Sequence, residues 1–453
     1  MGLMRKNPKS SPKKKSLTLK HLFDLDSPRN DARNDISPKK KFSSDSMDEE
    51  IFSLISHCSF IYSFTDPKES PTQQDLKRLK LIQLHSVLRS SKRPFQTEIL
   101  SPLFAMLSAN LFRPLPPSSS TLPDDVEELA ATPTASWPHL QFAYDILLQL
   151  LVKTEQKVLR DHINHSFILN LLSLFRSEDP RERESLKNIY HQIYSKFTLY
   201  RSFMRKAMND VFLNFIFETD QIKHSGIGDL LEIWGSIING FTVPLKEEHK
   251  NFLMRILIPL HKPKGMMAYH RQLAYCVCQL VQKEPQLCGV VVRGILRYWP
   301  VTNCQKEVLL IGELEDVVEN IDSDYYRMVA LPLCTQITKC FNSWNSQVAE
   351  RALYVWNKEK FVKMASEAVE DVFPILVEGM EKNLKNHWSK SVKQLTENVK
   401  EMLQEMDPNL YLKCLSELEF QECAAYHKEM RRKQMWERLE MAATRNQLHC
   451  IMC

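Results

Sequence analysis

From Ile51 onward the apolar residues of this chain recur at close to 3.6-residue spacing, and the segments carrying that spacing themselves recur about every 40 residues. A 3.6 period gathers apolar side chains on one helix face, which must then be buried against a neighbour. PHLQFAYDILLQLLV, SFILNLLSLF, DLLEIWGSIING, RQLAYCVCQLVQ and QVAERALYVWN follow one another, with breaks expected at Pro180, Gly240 to Pro244, Pro263, Pro285, Pro300 and Pro374. Helix starts near Asp179, Gly226, Tyr269, Cys304, Asn345 and Lys385 are 47, 43, 35, 41 and 40 residues apart. Two helices per unit of about 40 residues is the pattern of HEAT and armadillo-like repeats. Only 10 of 453 residues are glycine, against an average share of roughly 7%, so positive-φ hairpin turns are scarce. The expected fold is all-α: an α-solenoid of degenerate HEAT/armadillo-like helical repeats.

Charge divides the chain. Residues 1–45 hold twelve Lys/Arg against five Asp, or +7, which leaves the other 408 residues at −2 within a total of +5. Residues 1–47 read as a disordered basic Ser/Pro/Lys tail, 48–420 as the repeat solenoid, and 421–453 as a charged C-terminal helix and tail. A near-neutral body argues against a nucleic-acid binder. So do the irregular steps, because a base-reading repeat protein keeps its reading side chains at a constant position. No apolar run reaches the roughly 18 residues of a membrane span, and the polar, basic start MGLMRKNPKSSPKKK does not read as a signal peptide. Eleven cysteines, an odd number, are expected as reduced thiols. Cys276 and Cys278 lie among apolar neighbours and lack a second pair at zinc spacing. His162 and His165 have no carboxylate or thiolate company and read as surface residues. No metal, cofactor or catalytic constellation is expected.

The stretch YHQIYSKFTLYRSFMRK (190–206) is rich in cations and rings and has no carboxylate. Asp179 reads as an N-cap, Pro180 as the first helical residue and Glu182 as a capping-box partner. Leu186, Ile189, Tyr190, Ile193 and Phe197 then share one face. His191 and Tyr194 fall on its flank, and Arg201 and Arg205 project from the same side if the next segment winds alike. The following helix has more apolar circumference than a core stripe needs. Leu230, Trp234, Ile237, Ile238 and Phe241 suffice, and Ile233 extends the stripe beside Ile237. Asn239-Gly240 and Pro244 stop it. Lys246 and His249 are then three apart on one face, with Glu247 and Glu248 turned aside. Converging, these segments would offer apolar pockets with a rim of Arg, Lys and His, suited to a short extended peptide with aliphatic anchors and a carboxylate. Residue by residue, the plainer reading stands beside this one: Tyr194, Ile233 and Ile237 as core, Arg201 and Arg205 as solvated surface.

Several runs in order resemble the B-prime regulatory subunits of protein phosphatase 2A, the plant branch most: LFRPLPPSS (111–119), SWPHLQ (136–141), SEDPRERE (177–184), GSIINGF (235–241), PLKEEHK (244–250), QLAYCV (272–277), YWPVT (298–302) and QVAERALYVWN (347–357). The resemblance covers roughly residues 48 to 420. It implies a right-handed HEAT-like solenoid without catalysis of its own, which docks on the phosphatase scaffold and catalytic subunits in cytoplasm and nucleus. It also implies recruitment of substrates carrying a Leu-x-x-Ile-x-Glu motif, through a groove that maps onto His191, Tyr194, Arg201, Arg205, Ile233, Ile237, Lys246 and His249. Lys246 and His249 would meet the motif's glutamate. Gln192 departs from the family, which carries arginine in its His-Arg-Ile-Tyr motif, and a neutral amide cannot pair with phosphate as a guanidinium does. Trp234 stands where leucine is usual, and TDQIKHSG reads as a lengthened loop. The competing reading is a helical-repeat adaptor for nuclear import or another acidic-peptide partner, without phosphatase association. An import adaptor would repeat Trp and Asn along its groove, whereas the seven Trp here are scattered.

The ends carry modification signals. Ser-Pro-Lys-Lys occurs at Ser11–Lys14 and Ser37–Lys40, which reads as nuclear targeting or anionic-surface contact tuned by phosphate at Ser11 and Ser37, or as a plain solvated tail. Lys6 stands where N-myristoylation needs Ser or Thr. CIMC fits a prenylation box with Cys450 as acceptor, although Cys is not a usual last residue.

Overall fold

The computed structural model describes residues 44–451 except 63, 65–69, 92–94, 96, 116–133 and 218–223. Ser11 and Ser37 lie outside the described residues, as does the side chain of Cys450. Asp48–Cys453 form one unit by themselves. The described helices are α1 (Ser44–Cys58), α2 (Pro71–Ser90), α3 (Thr97–Leu111), α4 (Trp137–Lys153), α5 (Gln156–Leu159), α6 (His165–Ser173), α7 (Pro180–Lys196), α8 (Arg201–Phe217), α9 (Ile227–Asn239) and α10 (Glu247–Phe252). They continue as α11 (His270–Lys283), α12 (Cys288–Arg297), α13 (Cys304–Glu319), α14 (Tyr326–Phe341), α15 (Ser346–Tyr354), α16 (Glu359–Glu367), α17 (Val369–Asn386), α18 (Lys390–Met406) and α19 (Pro408–Ile451). No strand occurs among the described residues.

The helices pack as two layers. In one, α2, α4, α7, α9, α11, α13, α15 and α18 lie side by side in that order; in the other, α6, α8, the π-helical turn Leu253–Leu257, α12, α14, α17 and α19 do the same. Each helix thus meets its counterpart about one repeat away, which is a helical-repeat stack. The apolar stripes meet between the layers: Leu186, Ile189, Tyr190, Ile193 and Phe197 are all buried. Cys276 and Cys278 belong to this core, and burial pushes both thiols up, Cys278 to about 12. His162 is half-buried, stacked on Phe104 at 4.9 Å, rather than a surface residue; His165 is exposed.

Many helix starts are local events. Asp179, Asn303 and Asn345 accept hydrogen bonds from backbone N–H groups two or three residues on, satisfying donors that a helix start leaves open. Helix ends are closed across repeats instead. Lys196 Nζ donates to the carbonyls of Leu151 and Thr154. Lys283 reaches those of Asn239 and Phe241 at 3.1 and 2.9 Å. Asn383 donates to Phe341 O at 2.7 Å, and Trp388 Nε1 to Trp344 O at 2.9 Å. The donors lie 42 to 45 residues after their acceptors, so one repeat neutralises the carbonyl end of the one before.

Three local expectations are corrected. Pro374 does not break the chain: it sits inside α17, near its start, where it costs one backbone bond rather than the helix. Lys385 lies at the end of that same helix, and the next begins at Lys390 after the Ser389 cap. Glu182 is no capping-box partner. It is fully buried, receives both Arg113 Nη atoms at 2.8 Å, and accepts from Tyr144 Oη at 2.7 Å and Ser177 Oγ at 2.6 Å. The charged C-terminal stretch is the outer part of α19. Tyr411 and Cys414 are buried near its start, and every side chain from Glu419 to Thr444 is exposed.

Candidate functional site

The carbonyl ends of α7 and α9 and the start of α10 surround a cavity of about 420 Å3. α7 delivers His191 and Tyr194, three residues apart and therefore on one side, at the edge of its buried stripe. Phe197, buried, turns the chain through Thr198–Tyr200 into α8. Arg201 reaches back from the first residue of α8: its Nε donates to Tyr194 O at 3.0 Å and its Nη2 to Ser195 O at 3.1 Å. It thereby closes the open carbonyls of α7 while its guanidinium faces the Tyr194 ring at 5.4 Å. Arg205, one turn later, donates through Nη1 to Tyr194 Oη at 3.1 Å and through Nη2 to Glu248 Oε1 at 3.3 Å.

α9 supplies Ser236 and Ile237 to the lining, and the chain after it supplies Gly240, Phe241 and Thr242. Phe241 lies flat on His249, 3.6 Å between centroids and 5° between planes. Trp234 is absorbed beneath them, stacked on Phe252 at 3.8 Å and 2% exposed, so the indole does not reach the cavity. Lys246 stands just ahead of α10 in extended backbone, and its ammonium makes no ion pair or hydrogen bond among the described residues. His249, buried at 6%, follows in the first turn with Nδ1 lacking a protein partner. Burial lowers the His249 pKa; Glu248 opposes the shift, and Arg205 and Lys246 add to it. Burial also lowers that of His191. Burial therefore favours the neutral form of both rings, and an anion placed beside them would act in the opposite direction.

Seven of the eight residues read from sequence line this one cavity: His191, Tyr194, Arg201, Arg205, Ile237, Lys246 and His249. Ile233 does not. One turn back from Ile237, it is 2% exposed in the core, where α7 and α11 flank α9. Gln192, half-buried, is absent from the lining. Glu248 is not turned aside; it lines the cavity between Arg205 and His249, at 3.3 and 3.4 Å. Phe241, assigned by spacing to the core stripe, is half-buried and forms part of the wall. Neither Glu248 nor Phe241 had a readable signal, since their partners come from across a loop or from another helix. Among the described residues no group of three His, Cys, Asp or Glu stands close enough to hold a metal, and no helix is long and apolar enough to cross a membrane.

Residues 37–443 match the model of the protein phosphatase 2A regulatory B subunit (B56 family). In Arabidopsis thaliana, the B' beta isoform of the 57 kDa regulatory subunit of serine/threonine protein phosphatase 2A is 45% identical over 395 residues, covering 86% of this chain and 79% of that protein. The B' alpha isoform of the same plant is 46% identical over 391 residues, 85% of this chain and 79% of the relative. The B' kappa isoform of Oryza sativa subsp. japonica is 42% identical over 397 residues, 86% and 78% of the two chains. A family model spanning most of the chain, relatives of this similarity over most of both lengths, and a stack of helix pairs agree: the chain belongs to the B56 family of protein phosphatase 2A regulatory B subunits and is a regulatory subunit, not a catalytic one.

Proposed function

We propose that this subunit docks on the scaffold and catalytic subunits of the phosphatase, in cytoplasm and nucleus, and holds acidic substrate segments of the Leu-x-x-Ile-x-Glu kind in the cavity between α7, α8, α9 and α10. The observation that supports this is the convergence of two arginines, a lysine and two histidines with Tyr194, Ile237 and Phe241 around one open space. Apolar walls take aliphatic side chains, and the cations take a carboxylate. Tethering raises the effective concentration of the bound segment at an active site on another chain, so specificity follows from a groove that does no chemistry. The test is co-purification of the tagged full-length chain with scaffold and catalytic subunits, followed by titration with a Leu-x-x-Ile-x-Glu peptide. Failure to retain the two subunits would discard the assembly, and absence of peptide binding would discard the groove.

Gln192 gives the reading a chain-specific consequence. Its neighbour His191 lines the cavity, and its own amide carries no charge. Phosphorylating the peptide within the motif is expected to change affinity less than about threefold, because a hydrogen bond to a charged partner is worth about 1.5–3 kcal/mol and the amide supplies no cation to one. Gln192→Arg is expected to restore a phosphate-dependent gain of about tenfold or more. Titrating phosphorylated and plain peptides against both proteins decides it; a large gain with the unaltered chain would sink the idea.

A further inference from the structure

Glu248 places one carboxylate oxygen between a guanidinium and an imidazole of the cavity wall. Oε1 lies 3.3 Å from Arg205 Nη2 and 3.4 Å from His249 Nε2, donors carried by two different helices. Arg201 has Nε and Nη2 committed to the carbonyls of Tyr194 and Ser195, and Arg205 has Nη1 committed to Tyr194 Oη. An Arg205 Nη2 donor is thus taken up by the protein's own carboxylate before any ligand arrives. The pair is asymmetric. The Glu248 side chain is 51% exposed, whereas those of Arg205 and His249 are 19% and 8% exposed. Glu248 also sits in the first turn of a six-residue helix, with water on its outer side. A half-exposed ion pair of this kind holds by about 1 kcal/mol or less, so the carboxylate can swing into water while the guanidinium stays in its wall.

We propose that Glu248 is an internal competitor for the ligand's acidic group. It occupies the anion position of the empty groove and is displaced to solvent when an acidic peptide binds. This rests on the groove reading above and adds a control to it. A peptide carboxylate gains only the difference between its own contacts and those Glu248 gives up, whereas a peptide lacking the carboxylate leaves Glu248 in place. The residue thus sets how strongly the groove rewards acidity, a property of exchange between two carboxylates rather than of the cations alone.

The test compares the full-length chain with Glu248→Gln and Glu247→Gln. Glu247 is the control: its side chain is 82% exposed, its nearest cation is Lys250 at 3.7 Å, and it does not line the cavity, yet its replacement changes the net charge equally. The probes are a synthetic Leu-x-x-Ile-x-Glu peptide and its Glu→Gln counterpart, read by fluorescence anisotropy. Glu248→Gln is expected to tighten the acidic peptide about fivefold and to leave the neutral peptide within about twofold; Glu247→Gln is expected to move neither by more than about twofold. Equal tightening by the two variants would reduce the effect to net charge and overturn the proposal. Weakening by Glu248→Gln would also overturn it, making Glu248 a residue that positions Arg205. Equal affinities of the acidic and neutral peptides for all three proteins would instead remove the groove reading, and this inference with it.

Discussion

Glu182→Ala is expected to lower the unfolding free energy by about 3–5 kcal/mol, the cost of removing one member of a buried ion pair. The carboxylate is wholly buried and accepts four hydrogen bonds: two from Arg113, one from Tyr144 and one from Ser177. Alanine leaves the Arg113 guanidinium, only 17% exposed, without a counter-charge. It also leaves two hydroxyls without their acceptor, each at a cost of about 1–3 kcal/mol if water does not replace it. The loss falls between α4, the chain after α3, and the first turn of α7, the helix that carries His191 and Tyr194. A repeat stack can unfold in parts, so calorimetry should be paired with hydrogen exchange, where α4 and α7 are expected to lose protection first. Arg113→Met with Glu182→Leu should recover most of the stability, because replacing both charges removes the uncompensated one. A single variant that melts with the unaltered protein and keeps its exchange protection would refute the argument.

Glu182 also shows what the sequence could and could not convey. It stands three residues after the Asp179 cap, and local spacing makes it a capping-box partner. Its actual partner lies 69 residues earlier, at Arg113, and no local pattern points there. Asp179, by contrast, was legible because its capping bond is local, from Arg181 N; it also accepts from Thr134 N, 45 residues earlier, and although burial opposes it, these bonds and the Arg181 guanidinium hold its pKa at about 2. The same division runs through the fold. Helix starts at Pro180, Ile227, His270, Cys304 and Ser346 followed from the apolar period and its breaks, and the 40-residue repeat followed from their spacing. The helix ends were half-hidden, since donors such as Lys283 and Asn383 come from the next repeat. In the groove, Arg201 and Arg205 could be placed because a short turn links α7 to α8. Ile233 and Ile237 could not be separated, because one helix turn decides which of them reaches the cavity. Glu248 was hidden for a different reason. Helical angle alone turns it away from His249, but a long side chain in a first turn can bend toward a cation brought in by α8.

Arg205→Glu is expected to lower affinity for a Leu-x-x-Ile-x-Glu peptide by about 100-fold while leaving assembly with the phosphatase core intact. Two effects add. Losing a charge-assisted hydrogen bond to the peptide carboxylate costs about 1.5–3 kcal/mol, and the new carboxylate repels both Glu248 and the incoming acid, a charge juxtaposition that costs more where solvent is sparse. Arg205 is a cleaner probe than Arg201, which closes the carbonyls of α7 and would take part of the helix end with it. Arg205 holds only the Tyr194 hydroxyl and Glu248, both of which have access to water, so the fold should survive and the loss should be one of recognition. The order of effects then becomes diagnostic. If the cations recognise acid and Glu248 competes for them, Glu248→Gln strengthens the peptide, Arg205→Glu nearly abolishes it, and the double variant lies between the two. The neutral Glu→Gln peptide should lose far less than the acidic one to Arg205→Glu, because a packing defect would weaken both alike. A uniform loss across the two peptides, or a variant that no longer assembles with the scaffold and catalytic subunits, would show that Arg205 supports the fold and not the recognition of charge.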